Sequence, residues 1–315
     1  MTADSAILRA LGRRGLELLV LLVSISTLLF FLLRLSGDPA AVLAGEEADA
    51  ETVALISQRY GFDDPLLIQY LRYLAAMVSL DFGNSLTAQT DALALVMERL
   101  GSTLLLALLA LVITAAISIP LGAWLGFRPA ARSRKWTNAL VFILQGIPGY
   151  IVGLLLIQLF VVELRWLTSI GNQGPSSWLL PSLTLASFLV PKMVRIVAAN
   201  TAETMAEDYI RTARATGASD AALLMRHALP NALLGATALI GTQFAFLMSG
   251  SLITEVIFAW PGFGALLISS VERLDFPVVQ AAVFVIAVLV SVVNAVTDIA
   301  FSVIDPRLRT ARQSV

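Results

Sequence analysis

Apolar residues in this chain run continuously for about twenty positions at a time and do not alternate with polar ones. Six such stretches cover approximately residues 15–35, 103–127, 138–162, 179–199, 231–257 and 279–304, each bounded by charges, prolines or a polar run. A helix rises about 1.5 Å per residue and the hydrocarbon core of a bilayer is about 30 Å thick, so about 20 apolar residues suffice to cross it. Continuous runs suit helices, whose backbone groups are paired internally, whereas barrel strands require alternation. The pattern predicts an all-α polytopic membrane protein with about six transmembrane helices. The first stretch follows Arg9, Arg13 and Arg14 as a signal peptide would, but its core is too long and no small-residue cleavage site precedes Arg34. It is read as a retained span.

Composition agrees. Hydrophobic residues make up 58% of the chain and charged residues 14%, with a mean hydropathy of +0.84, so lipid is the main solvent. Net charge is -1 and the basic residues are scattered, which excludes a nucleic-acid binder. With no cysteine and a single histidine, His227, the sequence offers no catalytic constellation and no metal site.

The loops carry an orientation. With the N-terminus inside, fifteen of the twenty-one basic residues fall on the cytoplasmic side: Arg9, Arg13, Arg14, Arg128, Arg132, Arg134, Lys135, Lys192, Arg195, Arg211, Arg214, Arg226, Arg307, Arg309 and Arg312. The expected organisation is a cytoplasmic N-terminus and first helix (1–35), an extracytoplasmic segment (36–102), a core transmembrane domain (103–304) with a cytoplasmic loop at 200–230, and a cytoplasmic tail (305–315). The outer segment contains its own helix signal: Asp64 as N-cap, Pro65 at the first helical position, and Tyr70, Leu71, Leu74, Met77 and Val78 on one face. The inner loop reads as helix, turn, helix, with Gly217 suited to a left-handed position and Ser219 as the following N-cap.

That inner loop is the most specific signal. Glu207-Asp208-Tyr209-Ile210-Arg211-Thr212-Ala213-Arg214-Ala215-Thr216-Gly217, followed by Arg226-His227-Ala228-Leu229-Pro230-Asn231-Ala232, resembles the cytoplasmic loop of ABC-importer permeases. Ala213, Leu229 and Pro230 hold the family register counted from Gly217. Arg211, Thr212 and His227 depart from the general consensus toward the dipeptide, oligopeptide and nickel branch, and Thr216 stands where that branch carries lysine. The resemblance extends through Gly37-Asp38-Pro39, Tyr60-Gly61-Phe62-Asp63-Asp64-Pro65-Leu66, Leu80-Asp81-Phe82-Gly83-Asn84-Ser85-Leu86, the Glu255–Gly264 run, Pro277-Val278-Val279-Gln280 and Asp305-Pro306-Arg307. Together these look like the B-type permease of that branch.

The resemblance implies a type I importer-like fold in a bacterial cytoplasmic (inner) membrane, with both termini cytoplasmic. It implies a second homologous permease as heterodimer partner, an extracytoplasmic binding protein, and two ATP-binding subunits that hold ATP and Mg. No cofactor is expected in this chain, which has no Gly-Lys pair for a phosphate loop. Glu207, Tyr209, Arg211, Ala213, Arg214, Gly217, Arg226, His227, Leu229 and Pro230 would couple to the ATPase; an amphipathic loop lying on headgroups is the alternative. Glu255, Phe258, Trp260, Pro261 and Gly262 would form an outer gate, with an interfacial aromatic anchor as the plainer reading. Gln145, Pro148, Gln243, Asn294 and Asp298 are candidates for a pathway lining or hinge, or for ordinary interhelical hydrogen bonds. A secondary transporter driven by an ion gradient is the competing function; it lacks support from any internal repeat.

Overall fold

The computed structural model describes residues 3–45, 48–127, 132–168 and 171–304; within the helices, the side chains of residues 3–11, 13, 14, 36, 132–134, 138, 234–242, 245, 249, 250 and 298–304 fall outside that description. The expectations for Arg9, Arg13, Arg14, Arg128, Arg132, Arg134, Asp298, Arg307, Arg309, Arg312 and the tail 305–315 concern groups outside it. In chain order the helices are α1 (Ala3–Ser36), α2 (Pro39–Ala44), α3 (Ala50–Tyr60), α4 (Leu66–Ser79), α5 (Ala92–Phe127), α6 (Arg132–Gly146), α7 (Gly149–Ile157), α8 (Pro175–Met205), α9 (Asp208–Ala215), α10 (Asp220–Ala222), α11 (Leu229–Ile257), α12 (Phe263–Glu272) and α13 (Phe276–Ile304). Among the described residues there is no β-strand, and one isolated bridge joins Asn84 to Asp91.

Among the described residues, four segments are long and apolar enough to cross a membrane: Gly15–Leu35, Ala92–Phe127, Pro175–Met205 and Phe276–Thr297. The predicted third span, 138–162, is broken. Lys135–Gly146 and Gly149–Glu163 meet at 96°, because Pro148 has no amide hydrogen and starts α7 from an extended backbone (φ -57°, ψ 132°). Taken as one span the pair makes a fifth, and the 29-residue α11 occupies the remaining predicted stretch.

The chain divides into two compact units, Met1–Ser102 with Gly262–Val292 and Thr103–Pro261 with Val293–Val315. In the first, local chemistry sets the short helices. The Asp38 carboxylate caps α2 by accepting from the Ala40 amide at 2.8 Å, and Asp49 caps α3 by accepting from Thr52 at 2.9 Å. Hydrogen bonds from Thr52 hold the Asp49 carboxyl below the ordinary carboxylate range. Gly61 ends α3 in the left-handed region (φ +68°), where the Phe62 amide reaches back to the Ser57 carbonyl.

Two expectations for α4 are corrected. Pro65, rather than Asp64, stands at the N-cap, and the Asp64 carboxylate instead accepts from Arg72 at 2.7 Å. The inward residues are Gln69 and Tyr73, while Leu71 and Val78 are exposed. The reason lies on α1: Arg34 bonds Gln69, the Phe30 ring stacks on Tyr73, the Thr27 hydroxyl meets the Tyr70 hydroxyl at 2.7 Å, and the Ser26 hydroxyl meets Met77 Sδ at 3.4 Å. The pairing descends α1 as it ascends α4. The helices are therefore antiparallel, and α4 lies along residues 26–34 inside the apolar span of α1.

In the second unit α8 is central, packing against α6, α7 and α11 and against the last turns of α5. A Gly-x-x-x-Gly step, Gly122 and Gly126, lets the α5 backbone sit directly on α8. A Cβ at Gly122 would lie 2.7 Å from Val197 Cβ, and one at Gly126 would lie 2.5 Å from the Ala198 carbonyl oxygen.

Candidate functional site

The inner loop has the geometry its residues foretell. Glu207 stands at the N-cap of α9 in extended conformation without a side-chain cap bond; Asp208 in the first turn and Arg214 in the last both complement the helix dipole. Gly217 adopts φ +91°, with its amide donating to the Arg214 carbonyl and the Ala218 amide donating to the Ala213 carbonyl, both at 3.1 Å. These are the two bonds of a Schellman ending. Ser219 then caps α10 by accepting from the Ala222 amide at 3.3 Å. The chain widens into a π-turn, Leu223–Ala228, immediately before Pro230, which has no amide hydrogen to offer the Arg226 carbonyl.

Ile210, Leu223 and Ala228 are fully buried and seat the loop. Asn231 Nδ2 donates to the Tyr209 hydroxyl at 2.9 Å and to the His227 carbonyl at 3.0 Å, tying α9 to the first turn of α11. Outward stand Glu207, Tyr209, Arg211, Arg214, Gly217, Arg226 and Pro230, while Ala213, His227 and Leu229 are half-buried. Arg211 pairs with Asp208 at 3.0 Å in full solvent exposure, so the pair adds little stability and leaves both charges available at the surface. The arrangement is a braced two-helix element with a polar outer face. Asn231 was absent from the sequence-derived site, although it lies in the Arg226–Ala232 run that marked the loop.

The Glu255–Gly262 run turns its largest side chains, Phe258 and Trp260, inward. Glu255 is in the last turn of α11 and fully buried, with Oε1 accepting from the Thr103 hydroxyl at 2.6 Å and the Ser251 hydroxyl at 3.1 Å. It joins α11 to α5 as an interhelical hydrogen-bond acceptor. Ala259 takes φ +47°, and the Trp260 amide returns to the Glu255 carbonyl at 2.7 Å. Phe258 and Trp260 are each 1% exposed, so Trp260 is a packed residue and the surface-anchor reading does not hold. A Trp260→Ala change would remove a buried side chain worth about 3–5 kcal/mol and could not isolate gating from packing. Pro261 is half-buried and Gly262 buried.

The proposed pathway residues are dispersed. Gln145 is exposed and accepts from Arg195 at 3.1 Å; Pro148 marks the break; Asn294 is exposed; and Gln243 Oε1 is buried without a hydrogen-bond partner. None of these lines the 240 Å³ cavity in this unit, formed around Tyr150, Thr184, Phe188, Phe246 and Thr254, where the Phe188 and Phe246 rings stack and Lys192 Nζ lies 3.9 Å from the Phe188 ring centre.

In the first unit the structure reveals a residue the sequence reading passed over. Asp275, between α12 and α13, is 1% exposed and accepts four hydrogen bonds: Ser85 Oγ (2.6 Å), the Leu86 amide (3.0 Å), the Thr87 amide (3.2 Å) and Thr87 Oγ1 (2.8 Å). The Leu80–Leu86 and Pro277–Gln280 runs, noticed separately in the sequence, are brought together by this one carboxylate.

The family of binding-protein-dependent transport system inner membrane components matches residues 118–310, and the N-terminal membrane-component family of the same systems matches residues 7–107. The chain belongs to this family. It is a permease component of a binding-protein-dependent ABC importer, and the ion-driven alternative is set aside. Among similar proteins, the glutathione transport system permease protein GsiC of Salmonella paratyphi A is 35% identical over 302 residues, covering 94% of this chain and 97% of the relative. GsiC of Escherichia coli (strain K12) is 36% identical over the same coverage. The permease also shares its fold with the inward-facing MetNI methionine ABC transporter, at a TM-score of 0.57 and 21% identity over 67% of this chain and 96% of that one. The type I importer architecture is thus the fold of this multi-pass membrane protein.

Proposed function

We propose that this permease forms half of the translocation pathway of an ATP-driven importer and that its 200–230 loop docks on an ATP-binding subunit. The observation that carries the reading is the braced loop itself: a Schellman-ended helix tied to α11 through Tyr209 and Asn231, with its polar face outward. Such an element moves as one body with α11, which is what transmission of force requires. In this reading two ATP-binding subunits hold ATP and Mg and carry out hydrolysis, a second homologous permease completes the pathway, and an extracytoplasmic binding protein delivers the solute. Similarity to GsiC favours glutathione or a comparable small peptide, with nickel, metal chelates and opine-like molecules as the other members of the substrate range.

The test is Gly217→Val. No atom lies within 4 Å of a Cβ built at Gly217, so the change meets open space and acts through its backbone alone. A β-branched residue at φ +91° is disfavoured by about 1–3 kcal/mol, which opens the Schellman ending. The permease should insert normally, while its complex loses ATPase subunits or loses stimulation of hydrolysis by loaded binding protein. Full retention with normal stimulated hydrolysis and uptake would remove the coupling role.

Both termini are placed in the cytoplasm on the charge asymmetry of the loops. A cysteine introduced at Asp49 should react with an impermeant thiol reagent outside intact cells and one at Ser133 should not. Reversed labelling would overturn this orientation.

A further inference from the structure

A cavity of 450 Å³ opens in the first unit among α1, α4 and the start of α13. Its wall carries a cation in an aromatic setting: the Arg34 guanidinium lies 5.2 Å from the Phe30 ring centre, 5.8 Å from Phe62 and 4.9 Å from Phe276. One guanidinium nitrogen, Nη2, donates to Gln69. The Nε–H makes no hydrogen bond within the protein, and the Tyr73 hydroxyl, beside the Ser26 hydroxyl, lies on the same wall. A guanidinium donor left unmade next to a phenol hydroxyl is costly, and an oxygen-rich anion is the ligand that engages both groups.

The location narrows the class. Arg34 is the penultimate residue of the apolar span Gly15–Leu35, at the depth where headgroups begin. A second cavity of 450 Å³, apolar throughout, lies further down the same helices, lined by Leu18, Leu19 and Leu22 of α1, Met77 and Val78 of α4, and Phe284 of α13. The two cavities share one stripe of α13, since Phe276 and Gln280 line the first and Phe284, one further turn along, lines the second. Leu19 is fifteen residues from Arg34, roughly 22 Å at 1.5 Å per residue, comparable to the reach of a membrane acyl chain. We propose that this unit holds a phospholipid, its phosphodiester on Arg34 and Tyr73 and one acyl chain in the groove between α1, α4 and Phe284.

The assembled transporter, purified in detergent and re-equilibrated with vesicles of phosphatidylethanolamine and phosphatidylglycerol, would be examined by native mass spectrometry. The wild type should keep a phospholipid on this chain. Arg34→Gln should lower its occupancy by about tenfold, the scale of one charge-assisted hydrogen bond. Tyr73→Phe keeps the ring and should weaken occupancy less. Leu22→Trp leaves the cation intact and fills the groove, so it should also expel the lipid; that variant serves if Arg34→Gln does not assemble. A wild type without lipid, or occupancy unchanged in both Leu22→Trp and Tyr73→Phe, would overturn the proposal. Displacement by inorganic phosphate combined with indifference to Leu22→Trp would also overturn it, identifying a site for a soluble anion.

Discussion

Gly126→Leu should prevent α5 from seating on α8 and leave little intact permease in the membrane. A Cβ at this position would already fall 2.5 Å from the Ala198 carbonyl oxygen, 2.6 Å from Thr201 Cβ and 3.0 Å from the Ala202 amide nitrogen. Two of the three obstacles are backbone, which cannot rotate aside as a side chain can. Relief requires α8 to move, and α8 is held on its other sides by α6, α7 and α11. Overpacking of this kind costs about 1–3 kcal/mol where neighbours yield and more where they do not. Gly126→Ala should produce a smaller loss in the same direction. Gly101, earlier in the same helix, faces open space, so Gly101→Ala should be neutral or stabilising, because glycine within a helix is about 0.5–1 kcal/mol worse than alanine. Thermal unfolding of the detergent-purified protein separates these cases; equal stability of the Gly101→Ala and Gly126→Leu variants would mean that close backbone approach does not organise this unit.

The features legible in the sequence are those set by nearby residues. Continuous apolar runs located the spans, the Gly146–Gly149 run marked the break, and Asp49, Gly61, Gly217 and Ser219 took the cap and turn positions that their own chemistry favours. The misread features are set by distant partners. The inward face of α4 is chosen by Phe30 and Arg34, more than thirty positions away, so the stripe Tyr70, Leu71, Leu74, Met77 and Val78 caught Tyr70 and Met77, which meet α1, but missed the buried Gln69 and Tyr73. Trp260 has the composition of an interfacial anchor, yet its packing depends on elements that no local pattern records. Glycine illustrates both cases: Gly217 could be read because its turn is local, whereas Gly126 becomes meaningful only once α8 lies against it.

Asp275→Ala should loosen the joint between the 84–91 turn and the start of α13, with the largest stability loss of any polar substitution in the first unit. The carboxylate is buried and takes hydrogen bonds from two amides and two hydroxyls, one of them from a residue 190 positions away. Alanine strands the buried Ser85 hydroxyl and Leu86 amide, whereas exposed Thr87 can turn to solvent, and each buried unsatisfied group costs about 1–3 kcal/mol. Even with partial rearrangement the loss should be on the order of 3 kcal/mol or more. Asp275→Asn distinguishes the cause. Asparagine preserves size but replaces one accepting oxygen with an NH₂ group that must face a ring of donors, so it should be nearly as damaging as alanine. If size were what mattered, Asp275→Asn would behave like the wild type. Leu274 takes φ +51° and the Asp275 amide is held by the Ser270 carbonyl at 2.8 Å, so the backbone is fixed on both sides of the carboxylate and a longer side chain cannot readily compensate. Asp275→Glu should therefore also lose stability. Hydrogen exchange across residues 84–91 gives the local readout: wild-type protection there in Asp275→Asn would show that the carboxylate does not hold this turn.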